Sequence, residues 1–282
     1  EGGTIKQIGT SLTGPKDAEL VNARGKYIFP GFIDPHVHIY LPFMGTYAKD
    51  SYKTASKAAV VGGTTTLIEM CCPSQGDPIL KSYELWLGKA EGNSACDFTF
   101  HMGVPRMDKK AERELREIVK GGIASFKVFL AYKGAFGLSD AELYHVMRLA
   151  KELGVIVTAH CENADLVAQL QQKLMAEGKT GTKWHYHSRP PAVEALGVNH
   201  LATFAAMHDT HIYTVHTSCR ESVQAALQAR QRGVKIWIET LIQYLTHDMT
   251  DAEKPGFQGS KFVMSPPLRE ASNQDYLWNG LQ

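Results

Sequence analysis

The sequence has no long hydrophobic run. Nowhere do about 18 apolar residues follow one another, the length that a membrane-spanning helix requires. It also lacks an excess of either charge. Thirty Lys and Arg face 29 Asp and Glu, a formal net charge of +1, so no field draws nucleic acid or an anionic membrane. Cysteine is scarce and irregular: five residues, with Cys71 and Cys72 adjacent and Cys96, Cys161 and Cys219 apart. An odd count at such spacing excludes a disulfide framework and reads as reduced thiols in a cytoplasmic setting. The first residues show no basic segment followed by an apolar core, so no secretory leader is visible. With 44 % hydrophobic and 21 % charged residues, the composition is that of a folded chain and excludes disorder. A length of 282 residues suits one large α/β barrel or two smaller domains.

What is present is an alternation. Short runs rich in β-branched and aromatic residues recur at Tyr27 to Ile33, Thr64 to Ile68, Asp97 to Phe100, Ser125 to Leu130, Val155 to Ala159, Ile212 to Val215 and Val234 to Ile238. They are apolar on both faces, as strands of a buried parallel sheet must be. Helical stretches lie between them. Lys109 to Lys120 is charged on one side and carries Leu115, Ile118 and Val119 on the other, while Ser139 with Glu142 forms a capping box ahead of Leu143 to Leu153. Gly121-Gly122, Gly154 and Gly233 stand where helices stop. About seven strand–helix units in series fit an eight-stranded α/β barrel one unit short better than an open sheet. Residues 1–26 read as part of a small β appendage, and residues 27–282 as the barrel.

Four histidines share one position on that map. His36 and His38 close the first run, His160 closes Val155 to Ala159, and His216 closes Ile212 to Val215. Residues i and i+2 of a strand face one side, so His36 and His38 can both point inward. Barrel active sites form at the C-terminal strand ends, and converging neutral imidazoles there suit a divalent ion such as zinc. A lone histidine at a strand end is ordinarily a hydrogen-bonded core residue; the shared position of four argues otherwise. His185 and His187 repeat the His-x-His spacing in a loop, where they read as structural or as the rim of a site. A thiolate site at Cys71, Cys72 or Cys161 lacks the paired spacing that zinc ligation uses. Lys127 sits inside the apolar run Phe126 to Phe129, where an ammonium is costly to bury. It either snorkels from an edge strand or serves as an amine of lowered pKa, which carbon dioxide could convert to a metal-bridging carbamate.

Asp34-Pro35-His36-Val37-His38, Ser125-Phe126-Lys127-Val128-Phe129 with Ala131-Tyr132-Lys133-Gly134, Thr158-Ala159-His160 and Val215-His216 together resemble the cyclic amidohydrolases. Leu41-Pro42-Phe43-Met44-Gly45-Thr46 and Gly62-Gly63-Thr64-Thr65-Thr66 are similar to the dihydropyrimidinase and D-hydantoinase branch. The resemblance covers essentially the whole chain. It implies a TIM-type (β/α)8 barrel with a small β-sandwich appendage. It also implies two divalent ions, zinc first and manganese or cobalt as alternatives, bridged by N6-carboxylated Lys127. His36 and His38 would hold one ion, and His160 and His216 the other. Tyr132 would donate to the oxyanion, and Ser265 of Met264-Ser265-Pro266-Pro267 would hold the ring amide through its backbone. Phe43, Phe129 and Phe136 would wall the pocket, with ordinary core packing as the other reading of Phe129.

The implied reaction is hydrolysis of a cyclic amide in a dihydropyrimidine or 5-substituted hydantoin by a hydroxide shared between the metals. The substrate would be a small neutral cyclic ureide or imide, with Tyr40 standing where related dihydroorotases carry an Arg for an anionic ring. Allantoinase activity is one alternative, and a non-catalytic dihydropyrimidinase-related scaffold protein another. The resemblance further implies a homotetramer. It places a last Asp ligand and general base beyond Gln282, so the chain reads as truncated before the eighth strand, and as written it is expected to be inactive.

Overall fold

The central strands of the sheet form from runs largely buried on both faces. In chain order the strands are β1 (Phe32–Val37), β2 (Pro42–Phe43), β3 (Thr46–Tyr47), β4 (Thr64–Cys71), β5 (Asp97–Gly103), β6 (Ser125–Lys133), β7 (Ile156–His160), β8 (Ile212–Thr214) and β9 (Ile236–Ile238). This computed structural model describes residues 3–43 and 45–281. Met44, inside the Leu41 to Thr46 stretch, and Gln282 therefore lie outside the described residues. Seven strands make one sheet in the order β1-β4-β5-β6-β7-β8-β9, every neighbouring pair parallel. β2 and β3 pair antiparallel in the loop after β1.

Parallel neighbours need crossovers, and helices supply them. These are α1 (Tyr52–Val61), α2 (Ile79–Ala90), α3 (Lys109–Lys120), α4 (Asp140–Leu153), α5 (Ala164–Ala176), the short α6 (Trp184–His187), α7 (Pro191–His208) and α8 (Arg220–Gln231). Local chemistry sets their ends. Asp108 caps α3, Ser139 and Glu142 form a reciprocal capping box on α4, and Gly154 closes α4 at φ 69°.

Alternation along each strand sorts side chains into two layers. Phe126 and Val128 of β6, Val157 and Ala159 of β7, and Ile212 of β8 join Trp86, Leu115, Leu143, Met147 and Leu201 in the main core beneath the helices. Lys127 and His160, between or just beyond those residues, consequently face the other side, the interior of the sheet. The sheet curls far enough that a side chain beyond one edge strand reaches the other, although the two edge strands do not pair among the described residues. His36 on β1 lies 2.6 Å from Glu239, which directly follows β9 on the opposite edge. This is the TIM-type α/β barrel architecture, with seven parallel strands and helices outside.

The first strand starts later than the sequence suggests. Tyr27, Ile28 and Phe29 are 91 %, 83 % and 67 % exposed, and β1 begins at Phe32. Pro30 offers no N–H to a ladder and restricts the residue before it, so the apolar run is broken at that point.

Candidate active site

The C-terminal strand ends surround a cavity of about 790 Å³. His36, His38, Lys127, His160, His216, Tyr132, Ser265, Phe43, Phe129 and Phe136 all line it, so these ten candidates drawn from the sequence reach one place. Leu41, Cys72, Gln171, His185, Arg189 and Gln243 complete much of the wall. Tyr40 is not among the described lining residues; its ring packs on Trp86 at 4.8 Å and Tyr47 at 5.9 Å.

The imidazoles form a chain of contacts. Ring centroids are 5.2 Å apart for His36 and His38, 5.3 Å for His36 and His216, and 4.7 Å for His160 and His216. His36 Nε2 and His38 Nε2 approach to 3.3 Å. Two nitrogens at about 2.0–2.1 Å from one tetrahedral ion lie about 3.3–3.4 Å apart, so this pair has the spacing of two zinc ligands. His216 Nδ1 is buried without a hydrogen-bond partner among the described residues. Among the described residues, no three His, Cys, Asp or Glu side chains already converge on a single point. Paired histidines with a lysine between them would not make such a triplet.

Burial lowers the pKa of His36 and His160, and lowers that of His38 and His216 well below the usual histidine range. The rings are therefore neutral, the form that can donate a lone pair to a metal. Lys127 is 1 % exposed and has no hydrogen-bond or ion-pair partner among the described residues. Burial lowers its pKa from 10.5 to about 8. Tyr132 moves the other way: burial raises its pKa against the opposing effect of Arg189, so its hydroxyl keeps its proton. Tyr132 and His216 hold positive φ angles of 59° and 44°, conformations that cost a non-glycine residue about 1–3 kcal/mol and concentrate at functional sites.

The aromatic wall is continuous. Phe43 meets Tyr132 at 5.6 Å and Phe136 at 5.8 Å, while Phe129 meets Phe136 at 5.4 Å and His160 at 5.9 Å. His185, in the second His-x-His pair, joins the site: its Nε2 lies 2.8 Å from the Met264 carbonyl and 3.1 Å from Ser265 Oγ. His187 is not among the described lining residues. Arg269 anchors the same loop from behind, its Nε donating to Ser218 Oγ at 2.8 Å and its Nη2 to Glu194 at 2.8 Å.

Three buried acids escaped the sequence reading. Glu69 Oε1 accepts the backbone N–H groups of Ile39 and Tyr40 at 3.0 and 2.8 Å, pinning the turn that follows His38. Burial raises its pKa to about 7. Glu239 Oε1 accepts from His36 Nδ1 at 2.6 Å and from the backbone N–H of His216 at 2.9 Å. Glu162 Oε2 lies 2.6 Å from His160 Nε2 and accepts from Arg189 Nη1 at 2.5 Å. For Glu162 and Glu239, burial is the largest effect and opposes ionisation, but the hydrogen bonds and neighbouring positive charges together hold both below the usual glutamate range. A signal existed for two of them. Glu239 closes an apolar strand run as the histidines do, and Glu162 stands two residues beyond His160.

The fold and the site together define a TIM-type α/β barrel that carries histidines and a buried lysine at its C-terminal strand ends. Residues 27–265 match the sequence profile of the Amidohydrolase family, and the chain belongs to that family. It is 40 % identical to a D-hydantoinase of Geobacillus stearothermophilus across 99 % of this chain and 59 % of the relative. It is 32 % identical to the dihydropyrimidinase of Rattus norvegicus across 99 % of this chain and 55 % of that protein. The chain thus spans somewhat over half the length of the curated relatives it matches. Among solved structures, a D-hydantoinase (dihydropyrimidinase) from Thermus sp. superposes with a TM-score of 0.95 at 58 % identity, over 98 % of this chain and 60 % of that one. A dihydroorotase from Campylobacter jejuni, 13 % identical with a TM-score of 0.59 over 88 % of this chain and 64 % of that one, shares the fold. No helix among the described residues is long and apolar enough to cross a membrane.

Proposed function

We propose that the whole protein hydrolyses the cyclic amide bond of dihydropyrimidines or 5-substituted hydantoins, using two divalent ions held at this cavity. The observation that carries the reading is Lys127, a buried amine with no hydrogen-bond or ion-pair partner among the described residues, set beside four neutral histidines, two of them spaced as ligands of one ion. His36 and His38 would hold one ion and His160 and His216 the other, most simply zinc, with manganese or cobalt also compatible with imidazole and carbamate donors. When bound, the ions supply an activated water and polarise the scissile carbonyl.

The chain's own residues do the rest. Lys127 Nζ, partly neutral because burial lowers its pKa, attacks carbon dioxide; an N–C bond forms, one N–H proton leaves, and an anionic carbamate remains. That anion removes the cost of an unpaired buried ammonium and offers two oxygens between the histidine pairs. Tyr132 keeps its proton and donates to the developing oxyanion, a contact worth roughly 3–4 kcal/mol. Ser265 holds the ring amide through its backbone, and Phe43, Phe129 and Phe136 exclude water from the ring and its substituent.

The walls favour a neutral substrate. Arg189, a cation on the cavity wall, already serves Glu162, and Tyr40 lies away from the cavity with no cation to offer. A carboxylate-bearing ring would lack the bidentate partner it needs. The reading also carries the further implications of the family resemblance: residues 1–26 in an appendage, 27–282 in the barrel, a homotetramer and a cytoplasmic setting.

The test measures metal content and kcat/KM of the whole protein for dihydrouracil, dihydrothymine, 5-substituted hydantoins, allantoin and dihydroorotate. Two bound ions and a preference for the neutral dihydropyrimidines or hydantoins are expected. A tenfold preference for dihydroorotate or allantoin, about 1.4 kcal/mol in the transition state, would overturn the substrate assignment. One tightly bound ion or none across zinc, manganese and cobalt preparations would overturn the binuclear site.

A further inference from the structure

We propose that Arg189 is a positioning residue that clamps the Tyr132 ring and so aims its hydroxyl at the substrate. The inference rests on the reading of Tyr132 as donor to the oxyanion and deepens it. The Tyr132 backbone, at φ 59°, has to be held by its surroundings, and its carbonyl accepts the N–H groups of Ala135 and Phe136, both at 3.1 Å. Those bonds fix where the ring leaves the chain, not where its oxygen points. Phe43 and Phe129, with centroids 5.6 and 6.1 Å away, confine the ring but carry no polar atom to direct the hydroxyl. Arg189 does. Its guanidinium carbon lies 5.4 Å from the centre of the Tyr132 ring, and Arg189 and Ser265 both stand beside the hydroxyl. A cation at that distance from a tyrosine face is attracted to it, most strongly where water is excluded. Arg189 Nε is buried and makes no hydrogen bond among the described residues, so one donor of the fork is not spent on another protein group.

The clamp is itself rigid. Arg189 precedes Pro190 and Pro191, and a residue before proline is confined to extended conformations. Its Nη1 donates to Glu162 at 2.5 Å, its carbonyl accepts Arg269 Nη1 at 2.5 Å, and Arg269 Nη2 donates to Glu194 at 2.8 Å. Glu162, Glu194, Arg269 and Arg189 are 0 %, 2 %, 3 % and 4 % exposed. Buried ion pairs add little stability over an apolar core; what this network supplies is a guanidinium plane that cannot swing away.

A lysine keeps a cation for Glu162 but lacks the planar fork, so Arg189→Lys separates positioning from charge balance. Kinetics of the whole protein with dihydrouracil compare the wild type, Arg189→Lys, Tyr132→Phe and the double variant, with bound zinc measured in each. Tyr132→Phe should lose about 100- to 1000-fold in kcat. Arg189→Lys should keep its zinc and lose about 10- to 100-fold in kcat at nearly constant KM, and almost nothing more once Tyr132 is Phe. Full activity of Arg189→Lys, loss of its zinc, or equal losses in both backgrounds would overturn the inference. A second readout needs no turnover: ¹⁹F spectra of protein labelled with 3,5-difluorotyrosine, in which the Tyr132 signal is the one absent from Tyr132→Phe. A clamped ring gives two lines, one for each edge, and Arg189→Lys should merge them. One averaged line in the wild type, or two in both proteins, would refute the clamp. Where Arg189→Lys does not fold, Arg189→Gln made on Glu162→Gln, which leaves neither charge of that pair alone, is compared with Glu162→Gln. If Tyr132→Phe keeps full kcat, or the wild type shows no turnover, the oxyanion reading fails, while the fluorine spectra still judge the clamp.

Discussion

Replacing Lys127 by Met should make the metal-free protein more stable while destroying the site. The side chain is 1 % exposed, and burial lowers its pKa from 10.5 to about 8. Between those two pH values the unfolded chain binds the proton and the folded one does not, so stability rises with pH across that window. Below about pH 8 the folded state carries the full penalty, two and a half pH units at roughly 1.4 kcal/mol each, or about 3 kcal/mol. Met keeps most of the stem volume and carries no charge, so Lys127→Met relieves that penalty at pH 7 without opening a large cavity. Urea unfolding of metal-free wild type and variant at pH 7 and pH 10.5 measures the difference. The variant should gain up to about 3 kcal/mol at pH 7 and lose most of that advantage at pH 10.5. Its Zn²⁺ uptake should fall below one ion per chain. A variant less stable than the wild type by more than about 1 kcal/mol at pH 7 would show that Lys127 supports the fold, and would refute the reasoning.

Other outcomes follow from particular contacts. His101 bridges the Pro35 carbonyl and Ser125 Oγ, and burial lowers its pKa to about 4. The unfolded state takes the proton first as pH falls below 6.5, so between pH 7 and 5 this group should remove about 2 kcal/mol of stability. His101→Gln should flatten that part of the urea-midpoint profile, and an unchanged slope would contradict it. Gly197 on α7 packs so closely that a Cβ there would lie 2.5 Å from the Cys161 carbonyl. Gly197→Ala should cost about 1–3 kcal/mol in unfolding experiments and weaken Zn²⁺ binding by displacing His160 and Glu162. Lys127→Ala should empty the site and regain activity in the whole protein with short-chain carboxylic acids, while Lys127→Arg should gain nothing from them.

Much of this was legible in the residues because burial writes a pattern. Strands covered on both faces need runs such as Phe126 to Phe129, and the four histidines were conspicuous because they end such runs. The helix over Lys109–Lys120 and the cap at Ser139 are local events, readable without the fold. The partners of the histidines were not readable in that way. Glu239 matters because the sheet curls and brings the far edge to His36, a contact 203 residues apart in sequence. Glu69 looked like an ordinary acid until the turn at Ile39 and Tyr40 placed two N–H groups on it. The start of β1 is not legible from apolar content, since Tyr27 to Phe29 is as apolar as a strand and only Pro30 marks the interruption.

The meeting of His36 and Glu239 works like a buckle on a belt. The belt is the sheet, its two ends are β1 and β9, and one short hydrogen bond bridges the space between them. A disturbance at either edge of the sheet therefore reaches the opposite edge through one side-chain contact, a route far shorter than the ladder of strand pairs between them.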